Sequence, residues 1–159
     1  MNRRMNRTIG QLVCIALTTA AVFSARPAHA ETKEELVKFV DDAIAYVKAN
    51  GKEKAFEAFN DPKNPLFHKG ELYVYVYDYE GKCLAHGLKP ELIGKPSMKI
   101  QDKKGNYVTK GLVEAAKSKT GFYEFYWPHP KAGDVQRKLS YSKDVDGTYF
   151  LGSGIYMGK

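Results

Sequence analysis

Three kinds of side chain could do chemistry beyond residue 30: the histidines His68, His86 and His129, the single cysteine Cys83, and the aromatic and basic residues of 121–141. No two histidines stand at a metal-ligand spacing, so each reads as a turn, loop or hydrogen-bonding histidine, with a site assembled in space as the alternative. Cys83 opens a predicted strand and reads as a small buried hydrophobe. Neither Cys-x-x-Cys nor Cys-x-x-Cys-His occurs. Ser97, Ser140 and Ser153 lack a nucleophile elbow: Gly152-Ser153-Gly154 is not Gly-x-Ser-x-Gly, and its glycines read as strand positions where something approaches closely. No pair of carboxylates argues for glycosidase chemistry. An enzyme is therefore not expected, and neither is a metal or a cofactor.

Non-covalent binding has better material. In Phe122–Trp127, alternation puts Tyr123, Phe125 and Trp127 on one strand face. In the next strand Lys138, Ser140 and Ser142 share a face, opposite Leu139 and Tyr141. Trp127 and Tyr141 could close an apolar pocket, with Lys138 and His86 offering a positive charge or a donor to a carboxylate. Ordinary core packing of Trp127 and Phe125 is the competing reading.

The elements that would position these residues follow from period and punctuation. Thr32-Lys33-Glu34-Glu35 is a capping box. Leu36, Val37, Val40, Ala43, Ile44 and Val47 then recur at helical spacing until Asn50-Gly51. A shorter helix over Glu53–Phe59 stops before Asp61-Pro62. From Glu71 the period becomes two, with Leu72, Val74 and Val76 on one face and Tyr73, Tyr75 and Tyr77 on the other. Asp78-Tyr79-Glu80-Gly81 turns into a returning strand, Lys82–His86. Irregular chain over Gly87–Lys104 leads to a helix over Tyr107–Lys119. Strands Phe122–Trp127, Arg137–Lys143 and Thr148–Met157 complete the order, with Asp146-Gly147 as a hairpin turn. Strand–helix alternation is absent, so the fold class is α+β: an antiparallel five-stranded sheet with helices on one side.

Residues 1–30 read differently. Arg3, Arg4 and Arg7, an apolar run from Ile9 to about Ala25, and Ala28-His29-Ala30 form a secretory signal peptide, with cleavage expected after Ala30 and a periplasmic destination. The chain of 159 residues has a net charge of +7, but the leader holds four arginines and no acid. The remaining 129 residues carry 21 basic and 18 acidic side chains, a net +3, with Arg137 the one arginine among them. Scattered lysines make no stripe for a phosphate backbone, so nucleic acid is not expected as a partner. One cysteine in the mature chain excludes an internal disulfide there, so a single domain over 31–159 must be stabilised by packing.

The order and spacing of several short motifs resemble the single Cache domain family, the PAS-like extracellular sensor domains of bacterial receptors. They are Leu72-Tyr73-Val74-Tyr75-Val76-Tyr77-Asp78 with Gly81; Leu84-Ala85-His86; Leu92-Ile93-Gly94-Lys95; Asp102 with Gly105; Gly121-Phe122 through Trp127-Pro128-x-Pro130; Lys138-x-x-Tyr141; and Gly152-Ser153-Gly154-Ile155-Tyr156. The resemblance implies a long N-terminal helix packed on a PAS-like sheet that cups a small organic acid such as acetate, propionate or pyruvate. It implies His86, Trp127, Lys138 and Tyr141 as pocket residues, with Tyr75 and Lys95 as further candidates. Such domains serve chemotaxis and other signal transduction, and a membrane chemoreceptor or sensor kinase is the implied partner. Two departures stand out. Phe125 occupies a place where the family often has tyrosine. Lys138 and Tyr141 also fall on opposite faces of a regular strand, so both reach a pocket only if a bulge intervenes or the strand starts after Lys138. Because the sequence ends at Lys159, the expectation is a free-standing sensor or binding protein; a non-catalytic accessory subunit with no pocket in use is the alternative.

Overall fold

The computed structural model describes residues 31–157; the signal peptide expected over residues 1–30 lies outside them. The capping box forms as the sequence predicts. Thr32 Oγ1 accepts from the Glu35 amide at 3.2 Å, and the Glu35 carboxylate accepts from the Thr32 amide at 2.9 Å. Helix α1 runs from there over Lys33–Asn50, burying Leu36, Phe39, Val40, Ala43, Ile44 and Val47. It ends at Gly51, whose φ of +83° suits a residue without a Cβ. Helix α2 (Lys52–Asn60) follows.

The strands are β1 (His68–Lys69), β2 (Leu72–Tyr73), β3 (Tyr75–Asp78), β4 (Cys83–His86), β5 (Phe122–Pro128), β6 (Val135–Asp144) and β7 (Tyr149–Tyr156), with helix α3 (Val108–Lys117) between β4 and β5. The short β1–β2 hairpin was not expected from the sequence. The main sheet is antiparallel in the order β4-β3-β7-β6-β5. Among the described residues no helix is long and apolar enough to cross a membrane.

The expectation of helices on one side of the sheet is corrected. Helices α1 and α2 cover one face, where Leu36, Val40 and Phe59 meet Val74, Val76, Leu139, Leu151 and Ile155. Helix α3 belongs to the other face, where Leu112, Val113 and Ala116 meet Tyr75, Tyr77, Phe125 and Phe150. Both faces of the sheet are apolar, so each needs a cover. Alternation along residues 74–77 hands the valines to one helical layer and the tyrosines to the other.

Candidate functional site

The α3 side of the sheet does not close completely. Tyr73, Tyr75, Tyr77, His86, Phe125, Trp127 and Lys138 from the sheet, with Ile100, Val108, Thr109 and Leu112 opposite, surround a cavity. Its free volume is about 20 Å³. That is room for about one water. An outer vestibule of about 210 Å³, lined by Leu88, Lys89, Pro128, His129 and Pro130, shares Tyr73 and Trp127 with the cavity. Trp127 is half-buried at this junction, edge-on to Phe125 at 5.9 Å and with the Lys89 ammonium 5.0 Å from its ring centroid.

Lys138 lies in mid-strand, opposite Phe125 on β5 and Tyr156 on β7. It is 1% exposed. Its Nζ donates to the Tyr73 hydroxyl at 2.8 Å and sits 4.0 Å from the Tyr73 ring centroid and 4.9 Å from that of Tyr156. Among the described residues no carboxylate comes within 4.0 Å of it. Glu71, whose charge acts on Lys138, is engaged elsewhere: His129 Nε2 lies 2.7 Å from its Oε1, and the Tyr156 amide donates to its Oε2 at 3.3 Å. Loss of solvation therefore dominates and pulls the Lys138 amine down to about 7, with Glu71 opposing weakly. An ammonium with three donors and one neutral partner, in a buried site, is what an anion would complete.

Space for this lysine comes from Gly154. A Cβ built there would meet Lys138 Cε at 2.5 Å, Ser140 Oγ at 2.8 Å and the Leu139 carbonyl at 2.9 Å. The glycines of Gly152-Ser153-Gly154 thus serve close approach, as read from the sequence. Gly154→Ala is expected to destabilise the protein by about 1–3 kcal/mol, because a side chain is forced into a filled space. Urea denaturation measures this, and an unchanged midpoint would show that the lysine stem moves aside freely.

His86 supplies a second donor. Its Nδ1 accepts from the amides of Lys89 at 3.0 Å and Leu88 at 3.3 Å, which fixes the proton of the neutral ring on Nε2. The ring is 3% exposed, and burial, reinforced by the charges of Lys138 and Lys89, lowers it to about 3. It stays neutral at physiological pH and brings one N–H to the cavity. Tyr75 donates to or accepts from Ser142 Oγ at 2.9 Å, and burial pushes its phenol up to about 12. Cys83 is buried with its thiol toward the Ala85 carbonyl at 3.6 Å, and burial pushes it up to about 11, far from a nucleophile's range.

Of the six residues expected at the site, His86, Trp127, Lys138 and Tyr75 come together around the cavity. Tyr141 does not. The pairing of β6 is continuous with both neighbours through 138–141, with no bulge, so Tyr141 faces α1 and packs on Phe122 at 5.0 Å. Lys95 does not either: it is exposed in a loop whose backbone carbonyl accepts from the Cys83 amide at 3.1 Å. Tyr73 and Thr109 were missed. The tyrosine ladder signalled Tyr73, since it shares a face with Tyr75, but nothing local marks Thr109, which α3 brings from across the sheet. The histidines do not converge, as His68 Nε2 lies 3.3 Å from the Phe59 carbonyl and His129 pairs with Glu71.

Comparison with known proteins agrees with this architecture. A methyl-accepting chemotaxis protein from Vibrio parahaemolyticus RIMD 2210633 superposes with a TM-score of 0.70 at 27% identity, over 79% of this chain and 88% of that one. A Cache chemosensory domain, solved in work on its carboxylic acid recognition, superposes with a TM-score of 0.64 at 24% identity over 79% and 92%. This second likeness carries the fold alone. The sensor histidine kinase MctS of Rhizobium johnstonii (strain DSM 114642 / LMG 32736 / 3841) is 29% identical over 86 residues, which are 54% of this chain but only 19% of the kinase. The model of the family described as Single Cache domain 2 matches residues 30–159, so the chain belongs to that family and is a Cache sensor domain related to the ligand-binding domains of chemoreceptors and sensor kinases.

Proposed function

We propose that this protein is a periplasmic sensory module that binds a small monocarboxylate of the acetate, propionate or pyruvate class and passes its state to a membrane chemoreceptor or sensor kinase. One observation carries the reading: a fully buried lysine with no carboxylate within 4.0 Å among the described residues, at the wall of a cavity. Lys138 is the charge for the carboxylate, with Tyr73 and the Nε2–H of His86 as hydrogen-bonding partners. Trp127, Phe125 and Leu112 hold the short apolar end. Family membership supports the sensory role, and the secretory leader expected from the sequence supports the location.

Thermal shift against acetate, propionate, pyruvate and butyrate tests it. An acid at 100 times its dissociation constant should add about 2.7 kcal/mol of stability. The increment should vanish in Lys138→Ala. If no acid moves the melting temperature, or the Lys138→Ala protein keeps the shift, the reading is lost. The small free volume favours a second reading, an accessory protein in which the cavity has become core. On the first reading Trp127 and Tyr73 must part to admit a ligand; on the second, ligand never alters their packing.

A further inference from the structure

We infer that Lys138 captures small 2-oxo acids covalently, as a reversible iminium formed inside its cavity. This rests on the carboxylate reading and goes further, because it gives the lysine a nucleophilic role as well as an electrostatic one. A lysine amine attacks a carbonyl only when it is unprotonated, reachable and served by a proton relay. The surroundings of Lys138 meet the first and the third, and the parting of Trp127 and Tyr73 that admits a ligand supplies the second. Among the described residues its Nζ has no carboxylate within 4.0 Å, and it is flanked by the Tyr73 and Tyr156 rings at 4.0 and 4.9 Å, an environment that resists a bare ammonium. It borders the cavity rather than closed core. The Tyr73 hydroxyl is 2.8 Å from Nζ, within reach for handing a proton to and fro. Burial also leaves much of the amine neutral at neutral pH.

The substrate class follows from the same groups. A donor-lined site draws in a carboxylate, and in a 2-oxo acid the electrophilic carbon is bonded directly to that carboxylate. Docking the acid at the Nε2–H of His86 therefore presents C2 to Nζ. The nitrogen lone pair forms a C–N bond as the C=O π pair moves to oxygen, which takes a proton relayed by Tyr73. The carbinolamine then loses this oxygen as water, and C=N forms. Protonation of the imine gives the iminium, for a net uptake of one proton, release of one water and no redox change. The iminium keeps its positive charge one carbon away from the carboxylate, so the ion pair survives the bond change. Acetate and propionate, lacking the ketone, bind only as anions.

Incubation of the full chain with pyruvate and sodium cyanoborohydride, which reduces the iminium to a stable secondary amine, tests the step by intact mass and peptide mapping. One adduct per chain is expected, on the peptide containing Lys138. Excess propionate should suppress it, Lys138→Met should lack it, and Tyr73→Phe should slow trapping by about tenfold or more. Adducts spread over exposed lysines, or trapping that propionate does not suppress, would overturn the inference. A melting-temperature shift by pyruvate without any trapping would also overturn it while leaving the carboxylate reading intact. No shift by any acid and no trapping would remove both. Propionate competition and Tyr73→Phe keep the test decisive even if Lys138→Met fails to fold.

Discussion

Replacing Lys138 by methionine should make the ligand-free protein more stable while abolishing its response to carboxylates. The lysine is 1% exposed and meets one neutral hydroxyl, so its ammonium loses hydration without regaining an ion pair. Methionine has nearly the same length, fills the space over Gly154 with apolar atoms and carries no charge. Exchanging buried ionic groups for apolar ones of similar volume is often stabilising, by about 1–4 kcal/mol. From this must be subtracted the hydrogen bond lost at Tyr73, about 1 kcal/mol. A net gain of about 0–3 kcal/mol remains, which calorimetry would read as a rise of up to several degrees. The increment of about 2.7 kcal/mol from saturating ligand should disappear in the same variant. A variant that melts lower than the parent would mean that the contact with Tyr73 outweighs desolvation. A function-bearing lysine held against stability is the signature of a binding group, since packing alone would favour methionine.

Stability and affinity should also move in opposite directions between pH 7 and 9. Lys138 titrates near 7 in the fold and near 10.5 when unfolded. The unfolded chain therefore holds more protons across that interval, and stability rises with pH. The full contribution is present above the unfolded value and is lost as pH falls toward the folded one. The slope is about 1.4 kcal/mol per pH unit at most, so about 2–3 kcal/mol accumulates between pH 7 and 9. Above pH 9 the buried Cys83 thiol, pushed up to about 11, begins to work against the fold, because the unfolded thiol releases its proton first. Below pH 6.5 the neutral His86, lowered to about 3, removes stability as the unfolded imidazole protonates.

A carboxylate needs the ammonium, so binding takes up a proton wherever the empty site is neutral. Its affinity for a simple carboxylate should fall about tenfold per pH unit above 7, or about 100-fold by pH 9. Titration calorimetry in buffers of different ionisation enthalpy measures the proton uptake directly. Guanidinium denaturation over the same pH range measures the stability, and Lys138→Met should flatten its rise. Affinity that stays constant from pH 7 to 9 would sink the assignment of Lys138 as the titrating partner.

Much of the architecture was legible in local pattern. The capping box fixed the start of α1, and Gly51 its end, because hydrogen bonds between neighbouring residues and one special φ need no distant partner. Tyrosines and valines on β3 separated by face as a two-residue period requires. Tyr141 is the instructive residue. Alternation put it opposite Lys138, whereas the pairing with Trp127 read from the strands and the family resemblance both drew it into the pocket; the unbroken register of β6 agrees with alternation. A bulge would have been needed to reverse it, and the strand has none there.

The sequence by itself determined which way side chains point within an element: the apolar stripe of α1, the tyrosine face of β3, the shared face of Phe125 and Trp127. These depend on covalent geometry, which repeats every 2 or 3.6 residues wherever an element forms. Tertiary structure decided what those faces meet. It put α3 opposite α1, set Thr109 across from the sheet, and brought the Lys138 amine against a tyrosine 65 positions earlier in the chain. Only there does the lysine lose water with no acid of the described residues close enough to pair with it. Its lowered basicity, and the function proposed from it, come from desolvation in a packed interior, a property no stretch of sequence carries alone.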